Sequence, residues 1–181
     1  MSDLQASKFL SYVLRHRPDS IGITLDQNGW VDIDELLAAA QRHGKELSRT
    51  RLQQIVATSD KKRFAISADG ERIRANQGHS VSIDLGLIPA VPPELLYHGT
   101  VERFLDSIRT QGLVRGSRHH VHLSPDEKTA RKVGGRRGKP AILVVEARSM
   151  HEAGHKFYQS ENNVWLTDQV PPEFLRGLDG T

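Results

Sequence analysis

Apolar positions recur every three or four residues through Ala6, Phe9, Leu10 and Val13, a spacing that predicts an amphipathic helix. Ser2 and Gln5 form a capping box for its start, and Pro18 forces its end. Ile21 to Leu25 and Trp30-Val31 flank Asn28-Gly29 and predict a strand, a turn and a short strand. Asp32 and Glu35 form a second capping box, opening a helix through Leu36, Leu37 and Ala40 that Gly44 closes. Ser48 opens a third helix on Leu52, Ile55 and Val56. Lys62 to Ile66 and Glu71 to Ala75, on either side of Ala68-Asp69-Gly70, predict a β-hairpin. Three short helices followed by a hairpin wing is the element order of a winged-helix module.

Periodicity lapses over 76–93, where Gly78, Gly86, Pro89, Pro92 and Pro93 accumulate. The expected division is a first lobe over 1–80, a linker over 81–93 and a second lobe over 94–181. In the second lobe, Leu95-Leu96-Tyr97-His98 predicts a strand running into Gly99. Thr100 is expected to cap a helix on Val101, Phe104, Leu105 and Ile108, closed by Gly112. Val121 and Leu123 alternate with His120, His122 and Ser124, so a strand there buries the aliphatic pair and turns the polar set toward a cleft. Ser124-Pro125-Asp126-Glu127 predicts a helix start with Ser124 as its cap. Ala141 to Val145 reads as a strand buried on both faces, and Phe157-Tyr158, Val164-Trp165-Leu166 and Phe174-Leu175 as further strands. The fold class that follows is α+β.

Composition narrows the function classes. Charged residues are 26% and hydrophobic ones 37%, a globular balance with no run long enough to span a membrane. Met1-Ser2-Asp3-Leu4-Gln5 lacks the basic and apolar regions of a secretory signal, and the expected location is the cytoplasm. Without cysteine there is no disulfide framework, thiolate zinc site or thiol nucleophile. Residues 1–80 carry 12 Lys/Arg against 10 Asp/Glu, so any surface for an acidic partner must come from local clustering. Lys61-Lys62-Arg63, Arg115 with Arg118, and Lys128, Arg131, Lys132, Arg136, Arg137 and Lys139 are the clusters, each of which reads equally as a solvated face.

The chemistry begins at Leu14-Arg15-His16-Arg17-Pro18, where a helical pattern runs into cationic and ionisable side chains. Cations in a last turn complement the helix dipole. An arginine fork beside an imidazole also suits gripping a phosphate and moving a proton near it. His98-Gly99-Thr100 and His122-Leu123-Ser124 are two His-x-Thr/Ser triplets, the signature of metal-independent two-histidine phosphoesterases acting on cyclic phosphates. Only 24 positions separate the two histidines, however, where that fold needs two comparable α/β repeats. His120-x-His122 is a weak metal pair with no carboxylate at a strand-compatible spacing. Gly134, Gly135 and Gly138 follow a helix rather than a strand, which excludes a dinucleotide fingerprint of the hydride-transfer type.

Several stretches in order, Leu14-Arg15-His16-Arg17-Pro18, Asn28-Gly29-Trp30-Val31, Ser59-Asp60-Lys61-Lys62-Arg63-Phe64, Gln77-Gly78-His79-Ser80, Leu96-Tyr97-His98-Gly99-Thr100, Arg118-His119-His120-Val121-His122-Leu123-Ser124 and Glu161-Asn162-Asn163-Val164-Trp165-Leu166-Thr167, carry a resemblance. Together they resemble the NAD-dependent RNA 2'-phosphotransferase family, the KptA type. The resemblance implies a winged-helix lobe followed by a lobe of the ADP-ribosyltransferase fold. It implies NAD as a consumed co-substrate, RNA with an internal 2'-phosphate of the tRNA-splicing kind as acceptor, no metal, and a monomer by default. It places the catalytic set on Arg15, His16, Arg63 and Arg118, and the NAD-binding set on His98, Gly99, Thr100, His122 and Ser124. The products it implies are nicotinamide, RNA with a 2'-hydroxyl and ADP-ribose 1'',2''-cyclic phosphate, with ADP-ribosylation of phosphorylated nucleic-acid ends as a side activity. Many ADP-ribosyltransferases carry a glutamate where this chain reads Asn163-Val164-Trp165, with Glu161 nearby; its absence fits a phosphate acceptor that needs no deprotonation. A non-catalytic nucleic-acid-binding winged-helix protein stands as the remaining alternative.

Overall fold

The computed structural model describes residues 1–59 and 61–177; Asp60, inside one of the quoted motifs, and 178–181, the end of the second expected lobe, lie outside the described residues. The chain divides into two compact units, Met1–Gly86 and Leu87–Thr181, each with its own apolar core. The architecture is mixed α+β, with six α-helices and antiparallel strand pairs among the described residues.

In the first unit, helix α1 (Asp3–Arg15) starts at Ser2, whose side chain accepts from the Gln5 N–H while the Gln5 side chain accepts from the Ser2 N–H. It buries Ala6, Leu10, Val13 and Leu14. The strand expected over Ile21 to Leu25 does not form. Pro18–Ile21 is a 3-10 turn instead, with Gly22 left-handed at φ 71° and local bonds from Ser20, Gly22 and Ile23 N–H groups. Ile21 and Ile23 are still buried, so their spacing marks burial rather than pairing. Strand β1 (Val31–Asp32) is followed by α2 (Ile33–Arg42), capped by Asp32, and α3 (Arg49–Ala57), capped by Ser48. β2 (Phe64–Ile66) and β3 (Arg72–Ala75) form the expected hairpin, and β1 joins its far side to give the order β1-β3-β2.

The second unit opens with β4 (Leu96–Val101), which runs through Thr100. Thr100 therefore caps no helix; a 3-10 turn over Glu102–Phe104 leads into α4 (Leu105–Gln111). β5 (Leu113–Val114) and β6 (Val121–Leu123) follow, and β6 buries Val121 and Leu123 as expected. Helix α5 (Glu127–Gly134) is capped by Asp126, which accepts from the Thr129 N–H at 2.7 Å, and not by Ser124. The reason is pairing: Ser124 exchanges two backbone hydrogen bonds with Tyr97, at 2.8 and 2.9 Å, and is held as an extension of β6 against β4. β7 (Pro140–Val145) buries Leu143 and Val145 fully, while its other residues are only half-buried. Then come α6 (Ala147–Glu152), β8 (Phe157–Gln159), β9 (Trp165–Thr167), β10 (Gln169–Val170) and β11 (Leu175–Arg176); Phe174 lies in a 3-10 turn rather than in the strand expected there. The strand orders are β11-β7-β4, β6-β9-β8 and β10-β5.

One close approach sets the position of β4. A Cβ on Gly99 would stand 1.8 Å from the Ala130 carbonyl oxygen, and one on Gly134 would stand 2.9 Å from the Thr100 carbonyl oxygen. Strand and helix therefore touch backbone to backbone, and Gly99 has a packing reason to be glycine. Changing Gly99 to alanine is expected to destabilise the protein by about 2–4 kcal/mol, read from urea unfolding, because neither backbone is a flexible side-chain end that yields at low cost.

Candidate functional site

Each unit gathers its own set of candidate residues. In the first, Arg15 occupies the last turn of α1 and His16 its C-cap. The Arg15 guanidinium crosses to the start of β2, where Nη2 lies 3.4 Å from the Arg63 carbonyl oxygen and the group sits 5.9 Å from the centre of the Phe64 ring. Arg15, His16 and Arg63 are thereby grouped at one end of the helix.

Residues 76–81 hold that grouping. The Asn76 N–H donates to the Arg63 carbonyl at 2.9 Å, and the buried Asn76 side-chain amide donates to the Lys62 carbonyl at 2.6 Å. Lys62 is left-handed at φ 39°, an uncommon conformation for a residue with a side chain, and the asparagine pins the peptide that follows it. The N–H groups of Ser80 and Val81 both reach the Arg15 carbonyl, at 2.8 and 3.4 Å. Nδ1 of His16 lies 2.9 Å from the Ser80 hydroxyl. Between them His79 is buried, beneath the turn that contains Gly29. That turn is built by Asp26, whose side chain accepts from the N–H groups of Asn28 and Trp30. Trp30 in turn lies under the Arg74 guanidinium, 4.6 Å from the ring centre.

In the second unit, the Tyr97–Ser124 bridge sets the two His-x-Thr/Ser triplets side by side. Nδ1 of His98, on β4, donates to the His122 carbonyl at 3.0 Å. A carbonyl only accepts, so the proton resides on Nδ1 and Nε2 carries the lone pair while the ring is neutral. Burial pushes the His98 imidazole below its ordinary value; the bond to His122 opposes that shift and the charge of Arg118 adds to it. Arg118 is thus electrostatically close to His98, on the loop in which its N–H bonds the Arg115 carbonyl. Thr100 is buried on β4. His122 sits mid-strand on β6, opposite Leu166 of β9.

His120 takes another environment. Its ring meets Tyr158 edge-on at 5.5 Å, and its Nε2 lies 4.0 Å from Asp168. Burial lowers its pKa, Asp168 raises it, and His119 and Arg115 lower it further. Among the described residues, no three His, Asp or Glu side chains are grouped to hold a metal ion. Asn163 occupies a tight turn at φ 59° between β8 and β9, which asparagine tolerates better than most residues.

Comparison with known proteins places this geometry. The family described as "RNA 2'-phosphotransferase, Tpt1 / KptA family" matches residues 1–169. The chain belongs to this family. A protein of Pseudomonas aeruginosa named probable RNA 2'-phosphotransferase is 61% identical over 171 residues, covering 94% of each chain. Relatives of the same name from Streptomyces griseus and Rhodopirellula baltica are each 58% identical, over 179 and 173 residues, and cover 94–95% of either chain. The two side-chain sets therefore sit in an RNA 2'-phosphotransferase family member along nearly its whole length.

The sequence alone points to neither Asn76 nor Ser80, although Ser80 closes the stretch Gln77-Gly78-His79-Ser80. Their contacts join residues 14 and 64 positions away, and no local pattern announces them. Tyr158 and Asp168, beside His120, are of the same kind.

The His98 shift carries a pH signature. An imidazole held below its ordinary pKa binds fewer protons folded than unfolded, so stability is full above about pH 6.5 and is lost as the pH falls through that value. His120 contributes in the same direction. Urea unfolding is expected to show stability falling between pH 7.5 and 5.5. His98→Asn should flatten part of that slope, with the remainder following His120.

Proposed function

We propose that this chain removes a 2'-phosphate from RNA by transferring it to NAD. Support comes from family membership together with one observation, the grouping of Arg15, His16 and Arg63 at the end of α1. We read the first unit as a winged-helix lobe and the second as an ADP-ribosyltransferase-like lobe that takes NAD through His98, Gly99, Thr100, His122 and Ser124. The winged-helix reading is supported by the order of three helices and an antiparallel hairpin, the other by the paired triplets.

The reaction runs in two steps. In the first, an oxygen of the RNA 2'-phosphate attacks the ribose carbon that bears nicotinamide, and the carbon–nitrogen bond breaks with its electron pair leaving on nicotinamide. The phosphate is already an anionic nucleophile, so positioning by guanidinium forks is the main requirement. In the second, the neighbouring ribose 2''-hydroxyl attacks phosphorus and loses its proton, while the RNA 2'-oxygen leaves and gains one. Arg15 and Arg63 stabilise charge on the non-bridging oxygens, and His16 carries the proton. The products are RNA with a 2'-hydroxyl and ADP-ribose 1'',2''-cyclic phosphate. No metal enters either step.

The deciding experiment incubates the protein with a 2'-phosphorylated oligonucleotide with and without NAD. Phosphate loss that requires NAD, with nicotinamide and the cyclic phosphate released, is the expected result. Loss without NAD would favour a two-histidine phosphoesterase, and binding without turnover a plain nucleic-acid-binding protein. Arg15→Ala is expected to lower turnover at least about 100-fold, the scale of losing a preorganised charge at a transition state. Its unfolding curve should stay close to that of the wild type, because the backbone contacts of Arg15 that close the helix end do not need its side chain.

A further inference from the structure

Within the first unit, the contact between Ser80 and His16 is more specific than the packing of a loop requires. The backbone of Ser80 already satisfies the helix end, since its N–H donates to the Arg15 carbonyl at 2.8 Å. That bond needs no hydroxyl. Its neighbour His79 is 2% exposed beneath the Gly29 turn, and on the other side the Val81 N–H reaches the same Arg15 carbonyl at 3.4 Å, so the chain is held both before and after Ser80. Two anchors therefore hold the Ser80 Cα in place and present its Oγ 2.9 Å from His16 Nδ1, across 64 residues of sequence. Both partners lie near the surface, where such a bond adds little to stability.

We propose that Ser80 is a positioning residue for His16, fixing the orientation and tautomer of its ring; this rests on the reading of His16 as the proton carrier of the second step. A hydroxyl can take either role toward a ring nitrogen; with Ser80 as acceptor from Nδ1–H, the neutral ring's lone pair is placed on Nε2. When Nε2 takes the proton released by the ribose hydroxyl, the imidazolium keeps Nδ1–H and the same acceptor serves it. The proton then passes from Nε2 to the departing RNA 2'-oxygen, and the bond to Ser80 persists throughout. No atom of Ser80 is consumed, and the ring does not turn between the two transfers.

The test compares Ser80→Ala, Ser80→Thr, His16→Ala and the Ser80→Ala/His16→Ala double variant on a 2'-phosphorylated oligonucleotide with NAD. Ser80→Ala should slow turnover about 10- to 100-fold, the scale of a misoriented catalytic group. It should accumulate the RNA-phospho-ADP-ribose species, because the second step alone needs the proton carrier, and KM for NAD should be unchanged. Ser80→Thr should restore most of the rate. In the His16→Ala background, Ser80→Ala should cost nothing further. Ring 15N shifts of His16 should show a proton on Nδ1 in the wild type and a mixture of tautomers in Ser80→Ala. Wild-type turnover in Ser80→Ala, or a loss that multiplies with that of His16→Ala, overturns the proposal. If the wild type performs no NAD-dependent transfer, the functional reading fails by itself, and unchanged 15N shifts in Ser80→Ala would separately remove the positioning role.

Discussion

A helix that ends in cations faces an electrostatic conflict as a place for an anion, because its last carbonyls point the same way as the cations and repel negative charge. In this protein much of that conflict is met by backbone N–H groups. The Tyr12 carbonyl accepts from His16 and Arg17, and the Arg15 carbonyl accepts from Ser80 and Val81. With those lone pairs engaged, the charge presented at the end of α1 is that of its side chains. The rest of the first unit serves the segment that supplies those groups: Asn76 ties its start to Lys62 and Arg63, His79 sinks under the Asp26–Trp30 turn, and Asp84 bonds Gln27 and Asn28.

The second unit solves a different problem, the placing of two histidine-bearing strands beside one helix. Backbone contact between Gly99 and α5 seats β4, and the Tyr97–Ser124 exchange seats the end of β6 against it. With the two strands so placed, His98 reaches the His122 carbonyl at 3.0 Å. Burial then keeps the ring neutral, and the nearby charge of Arg118 acts in the same sense.

Elements with local signals were legible in the sequence. The capping box at Ser2, the caps Asp32 and Ser48, the hairpin around Asp69-Gly70 and the alternation of Val121 and Leu123 all act within a few residues, and all appear where their chemistry predicts. Failures came where tertiary pairing competed with a local option. Thr100 and Ser124 are good cap residues, but ladder bonds to Ala141 and Tyr97 claimed their backbones. Ile21 and Ile23 alternate like a strand and are buried like one, yet Pro18 and Gly22 turn the chain before any partner is met. The short strands β5 and β10 and the helix α6 carry too few residues for a periodic signal. In the site, residue types and order were readable from ordered motifs, whereas the supports, Asn76 and Ser80, act at long range through single hydrogen bonds.

The tether between His98 and the His122 carbonyl has a consequence for selectivity. An imidazole whose one proton is committed to a backbone oxygen presents a lone pair to whatever lies against its other nitrogen. A ligand with a hydroxyl at that point completes the pair; a deoxy or ether analogue leaves it unmatched in a poorly hydrated place, at a penalty on the order of 1–3 kcal/mol. Discrimination of that kind exceeds what shape alone achieves for the loss of one small group. A single hydrogen bond from a side chain to the neighbouring strand's main chain thereby decides which ring nitrogen offers the lone pair.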